Sequence, residues 1–243
     1  VFHEAGFREV EIAELSRDIV RLADEHFESV NRRVSQAPGV KLHITDGRNL
    51  LLLSAKRYDV ISLEVSSIWF AGAASLYNQE FYQLARSKMN PDGVLQQWMQ
   101  LHHLSSIDLL QIVASIRSEF KFVSLYVMGG QGILVASNAV ESASPTPQAV
   151  RLLDLAPQLA DARRIVGRPV ESLTKERLLT PEGIDRFLTE VGIEPTIWIS
   201  TDDNLRLEYD TPKANANDST KSFAANLAML TRFRDPAPTP REP

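Results

Sequence analysis

Between Val1 and Ser137 the apolar residues follow two alternating rhythms. Short continuous runs are separated by longer stretches in which apolar residues recur every third or fourth position, the pattern of successive strand and helix units. Val10 to Leu15 predicts a strand. Ser16 offers a helix N-cap, and Ile19, Val20, Ala23, Phe27 and Val30 keep helical spacing through Asn31. Pro38-Gly39 marks a turn before a second strand, Val40 to Thr45, and Arg48 to Ser54 reads as a short helix. Tyr58 to Leu63 (Tyr-Asp-Val-Ile-Ser-Leu) has the apolar character of a strand inside a parallel sheet. Phe81, Tyr82, Leu84 and Ala85 predict a helix over Asn78 to Met89, closed by the turn Asn90-Pro91-Asp92-Gly93. A strand from Val94 to Met99 and a helix from Ile107 to Phe120 follow. Phe122 to Val127 and Gly132 to Ala136, joined by Gly129-Gly130, predict a hairpin at a sheet edge.

This order predicts an α/β domain over residues 1–140, its sheet wound by helices on both sides and ending in a β-hairpin. Glu141 to Pro147 is a break in composition that reads as a linker. Helices near Gln148 to Ile165, Pro181 to Val191 and Ser219 to Phe233 predict an α-rich carboxyl-terminal appendage, residues 148–233. The end of the chain, 234–243, is expected to be disordered, with four prolines among the nine residues from Asp235 to Pro243.

Composition narrows the function classes. The 243 residues are 44% apolar and 23% charged, ordinary globular proportions. With 26 Lys and Arg against 31 Asp and Glu, the net charge is −5, so no basic surplus exists for a nucleic-acid partner. The absence of cysteine excludes disulfides, Cys-ligated zinc, iron-sulfur clusters and thiol nucleophiles, and fits a reducing compartment. No run approaches the roughly 18 apolar residues of a membrane span, and Val1-Phe2-His3-Glu4 lacks the character of a signal peptide.

The candidate chemistry lies at strand ends. Glu14 ends the first strand, where a carboxylate can accept from two ribose hydroxyls; the plainer reading is an exposed strand-end acid like Glu11. Asp46-Gly47 ends the second strand. There an aspartate can accept from an adenine amino group while glycine lets the backbone approach a ring, or Asp46 simply caps the following helix. Glu64 follows the most apolar strand, where ligands bind in open α/β sheets. Partial desolvation there is expected to raise its affinity for a proton and suit it to accept one; the plainer reading is a strand-end acid paired with a neighbouring Arg or Lys. Ser66, Ser67, Trp69 and Gly72 read as a loop covering a site, with Trp69 and Phe70 as pocket wall, core or interface. His102-His103 has no third ligand at useful spacing, so no metal is expected. No Gly-x-Gly-x-x-Gly, Walker loop or nucleophile elbow occurs, and a glycine-rich loop after a first strand would have to precede Val1.

Taken together, these residues resemble the spermidine synthase (polyamine aminopropyltransferase) family over about Val1 to Ser137. Glu14 resembles the family's ribose-binding acid, and Asp46-Gly47 its adenine-side pair. Tyr58 to Glu64 resembles the strand that ends in its catalytic acid. Leu76-Tyr77 with Glu80-Phe81-Tyr82 resembles the Leu-Phe and Phe-Tyr that follow, and Tyr126, Gly129, Gly132 and Ser137 the segment whose tyrosine lines the amine pocket. Gln97-Trp98, the Trp69 to Gly72 spacing, and Thr201 to Asn204 with Leu207-Glu208-Tyr209 resemble a divergent bacterial branch, some members of which are fused to membrane segments.

The resemblance implies a Rossmann-like, methyltransferase-type sheet that here lacks its first strand and glycine loop. It implies aminopropyl transfer from decarboxylated S-adenosylmethionine to a small-molecule amine, with Glu64 catalytic, Glu14, Asp46 and Gly47 holding the nucleoside, and Ser67 and Tyr126 on the amine side. Ser67 departs from the family, which carries an acid at that position; a neutral hydroxyl is expected to hold a diamine poorly. A methyltransferase using intact S-adenosylmethionine and a non-catalytic nucleoside-sensing or interaction domain remain open readings. No metal is implied. A homodimer is compatible with the resemblance, as is a cytoplasmic location, with a membrane anchor open for a longer product.

Overall fold

The computed structural model describes residues 2–65, 67–146, 148, 150, 157, 160, 163–164, 167–191 and 195–235. The chain divides into two units, Val1–Ala55 with Pro147–Thr174 and Lys56–Thr146 with Lys175–Pro243.

In the first unit β1 (Val10–Glu14) and β2 (Val40–Ile44) pair in parallel, from Val10 opposite Val40 to Glu14 opposite Ile44. A parallel pair needs a crossover, and α1 (Arg17–His26) begins it. The Ser16 hydroxyl accepts from the Ile19 N–H at 3.3 Å, the N-cap that its sequence position predicts. The single helix expected through Asn31 is broken: α1 stops before Phe27, and α2 (Glu28–Asn31) is a separate turn. Arg32 and Arg33 then take left-handed backbone angles, φ 54° and 51°. Asn31 holds this reversal by donating to the Ala23 carbonyl at 2.7 Å and accepting from the Arg33 N–H at 2.8 Å. After β2, α3 (Gly47–Leu53) leads out of the first unit.

The second unit holds a five-stranded sheet in the order β3 (Tyr58–Leu63), β4 (Met89–Gln100), β6 (Gln131–Ser137), β5 (Phe122–Met128), β7 (Arg177–Leu179). β3 and β4 are parallel, and β6 runs antiparallel to both β4 and β5. The carboxyl ends of β3, β4 and β5 therefore lie along one edge. The Gly129-Gly130 hairpin forms as expected, with φ of 56° and 85°, values that glycine adopts at little cost. It is not at the sheet edge, however, because β7 pairs antiparallel with β5 outside it. β4 also starts earlier than expected. Met89 pairs with Tyr58 and Val94 with Val60, so Asn90-Pro91-Asp92-Gly93 is an excursion inside the strand. Gly93 packs so tightly there that an added Cβ would stand 3.0 Å from the Asn90 carbonyl and 3.1 Å from that of Tyr58.

Helices α4 (Gln79–Ser87), α5 (Ser106–Glu119), α6 (Val140–Ala143), α7 (Pro181–Glu190), α8 (Pro195–Trp198), α9 (Arg206–Asn215) and α10 (Ser219–Thr231) complete this unit. The core centres on α5, whose residues from Asp108 to Ile116 are all buried. A helix buried all round must be covered on two sides. The sheet covers one; α8, α9 and α10, with α4 and α7, pack on it elsewhere. Polar side chains fix these carboxyl-terminal helices. Asn226 of α10 donates to the carbonyls of Leu101 and Leu104 at 2.9 and 3.0 Å, and the Ser200 N–H donates to the Ser115 hydroxyl at 2.8 Å. The strands and helices thus give the α/β class expected. The helix read over 148–165 falls largely outside the described residues, and 236–243 lie wholly outside them. Asp235, just before, pairs with Arg186 and accepts from the Thr180 N–H at 3.2 Å.

Candidate active site

The residues singled out in the sequence divide between the units: Glu14, Asp46 and Gly47 in the first, Glu64, Ser67 and Tyr126 in the second. In the first unit, Glu14 is the last residue of β1, and the Thr45 N–H donates to its carbonyl at 3.0 Å, carrying the ladder one step past β2. This brings Glu14 and Asp46 to the carboxyl ends of neighbouring parallel strands, whose spacing is about 4.8 Å. One carboxylate oxygen of Glu14 accepts from the Ser16 N–H at 2.8 Å, which turns the side chain back over the strand end. Asp46 accepts from the Asn49 N–H at 2.8 Å and so caps α3, the plainer of its two readings. Gly47 opens α3. An added Cβ there would meet only the Ala13 Cβ, at an ordinary 3.6 Å, so the surrounding protein does not demand glycine at this position.

In the second unit, Glu64 is the first residue beyond β3, at the carboxyl edge where it was expected. It is exposed, contrary to the desolvation expected at that position. The strand end sets where Glu64 stands, and among the described residues its side chain is left exposed. Its charge is felt by the Tyr77 hydroxyl. Burial chiefly raises the pKa of Tyr77, a hydrogen bond with Gln97 opposes this, and Glu64 adds to it. Tyr77 and Tyr82 form, with Gln97 of β4, a buried layer beneath this edge. The Tyr77 hydroxyl donates to the Trp98 carbonyl at 3.0 Å, and the Tyr82 hydroxyl donates to Gln97 Oε1 at 2.7 Å. Gln97 Nε2 in turn donates to the Leu76 carbonyl at 3.1 Å.

The loop after Glu64 carries the remaining candidates. Ser67 is half-buried, and its carbonyl accepts from the Phe70 N–H at 3.4 Å. Trp69 packs edge-on against His103 with ring centres 5.4 Å apart, and His103 against His102 at 5.2 Å, while Phe70 is exposed. Burial, and then the neighbouring His103, lower the pKa of His102. Among the described residues no group of three or more His, Asp or Glu is placed to hold a metal ion.

Tyr126 stands away from Glu64. It pairs with Ile133 of β6, which pairs with Trp98 of β4, the residue after the Gln97 that faces Leu63. Tyr126 is thus three strand positions from the row of Glu64, or about 14 Å across the sheet. Its hydroxyl is bonded to Arg177 of β7; burial raises its pKa and Arg177 pulls it back. Among the residues that sequence reasoning did not assign to the site is Glu208. Its carboxylate accepts from the Gly72 N–H at 2.9 and 3.2 Å, so α9 holds the far end of the loop that begins at Glu64. A glutamate in the first turn of a helix carries no mark of such a contact in the sequence.

A profile of the spermine/spermidine synthase domain matches residues 1–133, more than half of the chain and a span within which the six candidate residues lie. The chain belongs to the spermine/spermidine synthase family. It is 32% identical over 118 residues to a polyamine aminopropyltransferase of Nitrosomonas europaea, covering 49% of this chain and 36% of that protein. It is 27% identical over 150 residues to polyamine aminopropyltransferase 2 of Pseudomonas aeruginosa, covering 58% and 43% respectively. The chain therefore matches less than half the length of these two relatives. Among solved structures, spermidine synthase from Thermotoga maritima superposes with a TM-score of 0.50 at 18% identity, over 59% of this chain and 50% of the other, a likeness of fold. Among the described residues no helix is long and apolar enough to cross a membrane.

Proposed function

We propose that this chain handles nucleoside and amine in an aminopropyltransferase, which moves an aminopropyl group from decarboxylated S-adenosylmethionine to an amine. One observation carries the reading. Within the residues that match the family, Glu14, Asp46 and Glu64 each stand at the carboxyl end of a parallel strand, where open α/β sheets bind ligands. Glu14 would accept from the ribose hydroxyls. Asp46 has a second carboxylate oxygen for an adenine amino group besides the one that caps α3, and Gly47, which the fold itself does not require, would let the ring approach the backbone.

The chemistry follows from charge. The amine lone pair attacks the methylene carbon beside the sulfonium, the new C–N bond forms as the C–S bond breaks, and the sulfur keeps the bonding pair as the neutral thioether of methylthioadenosine. The nitrogen becomes cationic and sheds a proton. An amine must enter unprotonated to attack at all, so Glu64 would accept a proton from it and orient it. Tyr126, its hydroxyl held by Arg177, would offer its ring to the acceptor's carbon chain. Ser67 provides no charge for a second ammonium, which favours a singly charged acceptor.

Calorimetry on the full-length protein tests the nucleoside assignment. Methylthioadenosine is expected to bind at least as well as S-adenosylhomocysteine, and Glu14→Gln to weaken it about tenfold, the worth of one charge-assisted hydrogen bond. Preference for S-adenosylhomocysteine, which keeps the amino-acid tail, would point instead to methyl transfer. Ser67 is compatible with that second reading, since no diamine need then be held.

A further inference from the structure

We infer that the segment from Ile199 to Glu208, outside the residues matching the family, positions the loop between Glu64 and Gly72, with Glu208 as its positioning residue; the inference rests on the function proposed above. The segment grips the stretch that follows Glu64 at two places. At the head of α4, the Gln79 N–H donates to the Ser200 carbonyl at 2.8 Å, and the Ser200 hydroxyl donates to Asn78 Oδ1 at 2.7 Å. Asn78 Nδ2 donates to Asp202 at 3.0 Å, and the Asp202 N–H donates to Glu80 at 2.9 Å. Asn78 and Ser200 are buried, so this end is fixed. The second grip is Glu208 on the Gly72 N–H.

The backbone between the two grips is held in a conformation that it would not adopt by itself. Leu205 has φ 50°, a left-handed value rare for a bulky side chain. Asn204 imposes it. Its Oδ1 accepts from the Thr201 and Arg206 N–H groups at 3.1 and 3.2 Å, and its Nδ2 donates to the Ile199 carbonyl at 2.9 Å. Its own N–H donates to the Thr201 hydroxyl at 3.1 Å. The turn starts α9 at Arg206 and puts Glu208 in its first helical turn, aimed at Gly72. Gly72 is itself at φ 84°, where the chain leaves the loop for a 3-10 helix, Ala73–Leu76, that precedes α4. The loop carrying Ser67 and Trp69 is thereby pinned at its far end by a carboxylate and near its middle by the Trp69–His103 contact.

Two readouts on the full-length protein test this. Hydrogen exchange at the Gly72 amide is expected to run about fivefold faster in Glu208→Ala, the worth of one exposed hydrogen bond to a carboxylate, with the α5 amides unchanged. In steady-state transfer the same variant is expected to raise the acceptor KM about fivefold while leaving methylthioadenosine affinity alone. Glu208→Gln, which keeps an oxygen for the Gly72 N–H, is expected to restore both. A loss of folded protein would lower kcat without moving KM, so the split separates positioning from stability. Unchanged exchange at Gly72 in Glu208→Ala overturns the inference, and so does faster exchange with an unchanged acceptor KM. If the wild-type protein transfers no aminopropyl group, the proposed function fails by itself, and the exchange arm still decides whether Glu208 holds the loop.

Discussion

Gln97 gives the sharpest test of how the carboxyl edge of the second unit is supported. It is fully buried, accepts from the Tyr82 hydroxyl, donates to the Leu76 carbonyl and bonds with Tyr77. Gln97→Met keeps its length and approximate volume but removes every one of these bonds. The Tyr82 hydroxyl, also fully buried, would lose its acceptor and carry a desolvation penalty of roughly 1–3 kcal/mol. The Leu76 carbonyl is half-buried and would lose about 1 kcal/mol, part of it recovered by water. Relief from burying the amide returns about 1 kcal/mol, for a net loss of about 2 kcal/mol. For a domain of this size that lowers Tm by roughly 4–8 °C. Tyr82→Phe removes the orphaned hydroxyl, so the double variant is expected to be more stable than the sum of the single effects by about 1 kcal/mol or more. Urea denaturation of the four proteins measures the cycle. Strict additivity, or a Gln97→Met loss below about 0.5 kcal/mol, would refute the reasoning.

Two further outcomes follow from the packing and the charges. Gly93→Ala is expected to lose roughly 1–3 kcal/mol by thermal melt, because the new methyl would press on the carbonyls of Asn90 and Tyr58; a neutral result would mean that the excursion inside β4 yields freely. Asp108, in the capping box of α5, is held above the usual aspartate range by burial, with the hydrogen bonds from Ser105 opposing the rise. A carboxyl raised on folding keeps its proton longer in the folded state. Stability, measured relative to Asp108→Asn, is therefore expected to be greatest below about pH 4 and to fall as the pH climbs from there through the raised value, as urea melts across that window would report.

Much of the framework was legible because local rules and the final packing agree. The Ser16 cap, the Gly129-Gly130 hairpin and the apolar strand before Glu64 each follow from backbone geometry or side-chain period alone. The misses come from features that only neighbours create. Arg177–Leu179 is too short to announce a strand, and it exists because β5 offers an open edge. The helix through Phe27 breaks because Asn31 reaches back to Ala23 and stabilises a reversal. Glu64 was placed correctly at its strand end, but its exposure depends on what covers that edge. Asn204 and Glu208 stand in the sequence as part of a stretch resembling the divergent branch, but nothing in that resemblance says that they grip the loop after Glu64.

The most direct measurement is turnover by the full-length protein. Decarboxylated S-adenosylmethionine is supplied with a panel of monoamines and diamines, and methylthioadenosine release and the mass of the amine product are followed together. The proposed function predicts one methylthioadenosine for each amine that gains an aminopropyl group, and a rate at least a hundredfold lower in Glu64→Gln, the usual worth of a general base. Turnover unchanged in Glu64→Gln, or wild-type protein that releases no methylthioadenosine with any amine, would contradict it.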